Sequence, residues 1–401
     1  MAMAPTLLHL PHQRSGTPPI DATSNDGILP IDLTQEILQR LPTEPICRFR
    51  AVCRSWRSML SHPDFIAAAR NPGPLLAAAV LENFSKVLDT ESGDEVKQVD
   101  FAAADGGSSC CSLDSKSHER AVCVVGKDRR QISLLDPATG AISVLPDHTQ
   151  LEGATTWCTI GRSASTGEHK VLTIAATSTM SSEAEACKIL TLSCTDHVWR
   201  ETASAPMKAA RTRTGFPVVN GVAYMLGCLR AGSEFSHRIM EFDLDREAWR
   251  PATIRTPVIL FGLNLCELQG HLVVACDNRS TAIDIWFLVD SQRSTWSKRY
   301  TITMPHHHHN PLSYHVYFEK PLAILDDGRI VMWMRVASMN IHVHDDTFLR
   351  IYDPRTETFS DGTIIPSCNR ATVFTWSLLH TGHEGALDTV ARQALIRRRH
   401  Q

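Results

Sequence analysis

Apolar positions along the chain follow two different periods, and the change from one to the other divides it. From residue 28 to 70 the spacing is helical. Leu33, Ile37 and Leu41 fall at i, i+4 and i+8, with Leu38 beside them. Asp32 and Gln35 have the spacing of a capping box, and Leu41-Pro42 ends this helix because the residue before proline is turned away from α geometry. Thr43 is placed to cap a second helix, with Pro45 tolerated in its first turn. Along it Ile46, Phe49 and Cys53 make one stripe, and Val52, Trp56 and Leu60 a neighbouring one. Pro63 opens a third short helix carrying Phe65 and Ile66. Three helices of this size bury little surface between themselves, so they call for a partner.

After Pro72-Gly73-Pro74 the pattern changes to short apolar runs bounded by turn residues, the signature of strands. A unit recurs here: an apolar strand, a polar turn, an aromatic or aliphatic marker, then a proline. The markers are Ile142, Trp199, Trp249, Trp296 and Phe359, spaced by 57, 50, 47 and 63 residues, and the prolines are Pro146, Pro206, Pro257, Pro305 and Pro366. Upstream apolar runs at 121–125, 171–174, 222–226, 272–275 and 330–334 each supply a hairpin partner. Asp136-Pro137 and Asp353-Pro354 suit the start of a type I turn. Spacings near fifty fit four-stranded propeller blades, with 75–101 as a divergent first blade and 373–379 as the strand closing the ring. The expectation is α + all-β in two domains: a three-helix module and a β-propeller-like domain of about six blades. The alternative is that the same hairpins build a β-sandwich.

Composition narrows this picture. At 401 residues, with 43% hydrophobic and 21% charged, the chain is long enough for two globular domains. A formal net charge of −3 argues against a general nucleic-acid binder, and no apolar run reaches the length of a membrane span. Twelve cysteines are scattered without a C-x-x-C pair, so zinc modules are not indicated; reduced thiols in a cytoplasmic or nuclear protein are expected. Residues 1–27, rich in Pro, Ser, Thr and Gly, are expected to be a disordered leader. The end, 386–401, is expected to be a helix or tail closing on Arg397-Arg398-Arg399.

Ile28-Leu29-Pro30-Ile31-Asp32-Leu33 through Leu41-Pro42, then Cys47-Arg48-Phe49-Arg50-Ala51-Val52-Cys53-Arg54-Ser55-Trp56 and Asp64-Phe65, resemble an F-box over about forty residues. Pro45-Ile46 departs from the plant pattern of a small residue followed by leucine. The remainder, 71–385, resembles a plant F-box-associated domain of the kelch or propeller-like kind, on its repeats and on Ile283-Asp284-Ile285-Trp286 and Leu325-Asp326-Asp327-Gly328-Arg329. The resemblance implies a substrate receptor of an SCF-type ubiquitin ligase. Its F-box would bind the adaptor, and through it cullin and RING subunits, while the β-domain would hold a target protein. Carried onto this chain, the adaptor-binding positions are Leu29, Pro30, Leu33, Ile37, Leu38, Leu41, Pro42, Ile46, Phe49, Val52 and Trp56. Plain core packing is the competing account of these, evenly matched for Val52 and Trp56.

Other chemistry is sparse. His306 to His309, with His315 nearby, can hold a metal incidentally, but a built site needs ligands converging from fixed elements, so no cofactor and no metal is expected. No phosphate loop, G-x-S-x-G elbow or H-E-x-x-H helix occurs. A non-catalytic protein is therefore expected. The rival readings are an F-box scaffold working outside a ligase and, more remotely, a kelch-type copper enzyme.

Overall fold

The computed structural model describes residues 31–41, 49, 52–60, 62, 65, 75–80, 84–90, 92–100, 122–125, 132–135, 142–147, 155–176, 185–192, 198–210, 216–231, 234–258, 263–277, 282–304, 314–338, 346–360, 362–366 and 370–375. The expected leader, the basic ending and the His306–His309 run lie outside these residues.

Two helices are described, α1 (Ile31–Leu38) and α2 (Arg54–Leu60). The α1 helix starts one residue before Asp32, and tighter turns follow it, with Arg40 N–H donating to the Ile37 carbonyl (3.1 Å). The expected continuous second helix is broken: Val52 lies in a turn and Cys53 is not helical. The cause is local. The Cys53 sulfur accepts the Trp56 N–H (3.4 Å), occupying the capping position of α2. Val52 thus leaves the stripe in which the spacing had joined it to Trp56 and Leu60.

The rest is strand. Six antiparallel sheets are described, in chain order. The first holds β1 (Leu75–Val80), β2 (Phe84–Asp89) and β3 (Glu95–Asp100), and the second β4 (Val122–Val125), β5 (Ile132–Leu135) and β6 (Ile142–Val144). The third has β7 (Thr155–Arg162), β8 (His169–Ala176), β9 (Glu185–Thr191) and β10 (Arg200–Thr202). The fourth has β11 (Lys208–Ala209), β12 (Val218–Val219), β13 (Val222–Ala231), β14 (Glu234–Asp243), β15 (Ala248–Trp249) and β16 (Ile254–Arg255). The fifth has β17 (Leu263–Leu268), β18 (His271–Asp277), β19 (Ala282–Asp290) and β20 (Thr295–Thr303). The sixth has β21 (Tyr314–Ile324), β22 (Ile330–Ser338), β23 (Asp346–Asp353), β24 (Thr358–Phe359) and β25 (Thr363–Pro366). Finally β26 (Arg370–Thr375) returns to the first sheet and pairs with β1, Ala77 opposite Val373. This closing strand begins three residues ahead of the expected 373.

The apolar cores lie between successive sheets, each packing one sheet's face on the next. Val125 and Leu134 meet Cys158 and Leu190 across the second and third sheets. Trp157 and Ile174 meet Phe216 and Met240 across the third and fourth. Leu226 and Ile239 meet Leu265 and Val274, Phe287 meets Met332, and Trp333 meets Ala77 and Val373. Five seams in chain order, with the last strand returned to the first sheet, describe a ring of blades and not the single two-layer core of a sandwich.

The marker residues sit on or beside the outermost strand of their sheets and do the same job three times. The indole N–H of Trp199 donates to the Pro146 carbonyl (2.8 Å), that of Trp249 to Ala203 (3.1 Å) and that of Trp296 to Arg255 (2.8 Å). Each reaches back to the segment at the end of the preceding sheet, so a large apolar ring is partly buried with its one donor satisfied. The polar turns repeat too. Asp89, Asp243 and Asp290 each accept the N–H three residues on, and the fourth residue on is left-handed: Gly93 (φ 76°), Glu247 (φ 53°) and Ser294 (φ 52°).

Candidate functional site

The helical module hides some of its apolar side chains and not others. Leu38 is 4% exposed and packs with Leu60 and Phe65; Leu41, Phe49, Trp56 and Met59 close around them. The Phe49 and Trp56 rings meet edge to face, 5.5 Å between centroids. Leu38 is thus a core residue of the module. Leu41, Phe49 and Trp56 are divided between core and surface.

Leu33, Ile37 and Val52 point the other way, at 47%, 48% and 64% exposed. Leu33 and Ile37 are one helical turn apart on α1, so their side chains form a single ridge. The i, i+4 stripe splits at Leu41, which turns inward because the last turn tightens beyond Leu38. Leu29, Pro30, Pro42 and Ile46 lie outside the described residues. Beside the ridge on α1, Arg40 and Glu36 form an exposed i, i+4 ion pair (2.6 Å); on α2, Arg54 and Arg57 are exposed. Cys53 is exposed as well. The Ser55 hydroxyl beside its sulfur (3.1 Å) and then the Trp56 N–H favour the thiolate and lower its pKa. The spacing concealed this capping role, because it also places Cys53 at the end of an apolar stripe.

Two family descriptions match the chain. One, for the F-box domain, covers residues 28–67; the other, for the F-box associated beta propeller domain, covers 84–367. The chain is a plant F-box protein. It is similar to an F-box/kelch-repeat protein of Arabidopsis thaliana, 24% identical over 309 residues that span 68% of this chain and 79% of that one. The Arabidopsis F-box protein CPR1 is 22% identical over 348 residues, 77% of this chain and 82% of its own. An Arabidopsis F-box/LRR-repeat protein is 24% identical over 302 residues, 70% and 68% of the two chains. In this F-box protein the short helical module precedes a mostly-sheet, propeller-like domain. F-box proteins are generally non-catalytic adaptors, and the F-box implies binding to an SCF adaptor subunit. No described helix is long and apolar enough to cross a membrane. Among the described residues no three His, Cys, Asp or Glu side chains converge as a metal group.

Proposed function

We propose that this F-box protein is the substrate receptor of an SCF-type ubiquitin ligase, with the F-box on the adaptor and a six-bladed β-domain on a target protein. The observation that carries the reading is the exposed ridge of Leu33 and Ile37, with Val52, on a module whose other large apolar side chains among the described residues pack inward wholly or in part. Burying one such side chain fully is worth roughly 1.5–3 kcal/mol, so three half-exposed residues together with Leu29, Pro30 and Ile46 supply enough to offset association costs. Arg54 and Arg57, exposed on α2, suit an acidic adaptor surface and speed encounter.

No residue needs to perform bond chemistry in this role. The receptor holds the target so that its lysines face the charged conjugating enzyme, and its contribution is effective concentration. The described cysteines are free thiols, which suits a cytoplasmic or nuclear setting. The test is co-purification of adaptor and cullin from plant cells with the intact chain and with Leu29→Ala/Pro30→Ala. Capture of both by the intact chain and loss in the variant supports the reading. Adaptor without cullin points to a scaffold outside the ligase.

A further inference from the structure

On β14 and β16 two arginines face each other. Arg238 stands directly opposite Arg255 in the antiparallel register, so both side chains leave the same face of the fourth sheet about 5 Å apart at their Cβ atoms. Like charges at such a position oppose pairing. Neither guanidinium has an ion-pair partner among the described residues, whereas Arg250, on the same sheet, is held by Glu241 and Asp243 (both 3.1 Å). The flanking positions on that face, Ser236 and Met240 on β14 and Thr253 and Pro257 around β16, carry no carboxylate.

The backbone of Arg255 is also fixed in place. The Arg255 N–H donates to Ser294 Oγ (3.0 Å) and its carbonyl accepts from Trp296 (2.8 Å), so the fifth sheet clamps β16 against β14. On β13, opposite Arg238, stands Gly227; a side chain there would meet the Met207 methyl at 2.5 Å. Two arginines in fixed backbone register therefore share one face of the fourth sheet, in a chain whose overall charge is negative.

We infer that the Arg238–Arg255 pair is a docking site for an extended acidic segment of the captured protein, one anionic group accepting from both forks. Side-by-side guanidiniums match a carboxylate or phosphate through paired N–H donors, and a bound anion converts their repulsion into attraction. The inference deepens the receptor reading by stating the chemistry of what the β-domain holds.

The experiment uses the full chain and three short fluorescent peptides: alternating Glu and Val, the same with phosphoserine for Glu, and the same with Gln. The Glu or phosphoserine peptide is expected to bind and the Gln peptide not to; the tighter of the two assigns the anion's source. Arg255→Glu places opposite charges across the strands. It is expected to raise the melting temperature while weakening binding at least about tenfold; Arg238→Gln should weaken binding similarly, and Arg246→Gln should leave it unchanged. Equal binding of all three peptides, binding unaffected by Arg255→Glu, or no binding at all overturns the inference. Adaptor and cullin capture by the same variants is read separately. Its loss in the wild type with peptide binding retained sinks the receptor reading alone.

Discussion

Replacing Glu247 by alanine should weaken the β-domain, for a reason visible at the seam of the third and fourth sheets. Lys170 on β8 is nearly buried, 7% exposed, and its ammonium donates to the Glu247 carboxylate (2.9 Å) and the Leu244 carbonyl (2.7 Å). Arg200 donates to the same carboxylate, and Ser163 bonds to Asp245 close by. Gly221 lies so near the turn between β7 and β8 that a Cβ there would sit 2.9 Å from the Ala164 Cβ. Removing the carboxylate strands the Lys170 charge. Stripping one partner from a buried pair costs about 3–5 kcal/mol, and the retained Leu244 carbonyl places this case near the lower end. Glu247 also holds a left-handed backbone (φ 53°), which costs a non-glycine residue about 1 kcal/mol. Glu247→Gly should therefore be about 1 kcal/mol less damaging than Glu247→Ala. Lys170→Met added to Glu247→Ala should recover most of the loss, because no charge is then left buried. Urea unfolding followed by tryptophan fluorescence reads all four proteins. A loss below about 0.5 kcal/mol for Glu247→Ala, or a glycine variant no better than the alanine one, refutes the reasoning.

The other expectations concern acid, the indole latches, the module core and ring closure. Burial pushes the Glu247 carboxyl up, but hydrogen bonds from Arg200 and Lys170 outweigh it and hold the group below the ordinary carboxylate range. Its stabilisation is thus complete above the unfolded value of about 4.3 and fades as pH falls through the folded one, so wild type and Glu247→Gln should converge in melting temperature in acid. Trp296→Phe, which deletes the donor to the solvent-accessible Arg255 carbonyl, should cost about 0.5–1.5 kcal/mol in urea unfolding, and no loss would show the latch to be idle. Leu38→Ala should destabilise the helical module by about 2–4 kcal/mol, read as protease sensitivity of the amino-terminal part with the β-domain intact. A chain ending at residue 369 lacks β26, leaves β1 as a bare edge and should aggregate; a monomeric, cooperatively melting product would contradict the ring closure.

Much of the β-domain was legible because its repeats carry a mechanism. A tryptophan with one donor needs one acceptor, so Trp199, Trp249 and Trp296 recur at a fixed place in the unit and betray the period. Asp243 and Asp290 recur likewise because each carboxylate caps the same turn. The closing strand was legible in outline only, since the apolar run from Val373 does not show that polar Arg370 pairs with Val80. In the helical module, spacing identified the apolar residues but not their directions. Leu33 and Leu38 differ by 100° or more around α1, and only tertiary packing sends one outward and the other inward. Cys53 misled for another reason: a thiol is apolar in a periodicity count and an acceptor at a helix start. The Arg238–Arg255 pairing and the Lys170–Glu247 staple join residues 17 and 77 apart, and register across strands and seams is not written in local sequence.

Docking of the adaptor on the exposed ridge of α1 is tested by placing negative charge on that ridge. In Leu33→Asp/Ile37→Asp both side chains remain at the surface, so the module keeps its Leu38–Leu60–Phe65 core and the β-domain its melting temperature. Quantitative pull-down of the adaptor by the full-length variant should then fall at least about tenfold below wild type, the loss of two apolar anchors. Undiminished adaptor capture by a folded variant would show that another surface makes the contact.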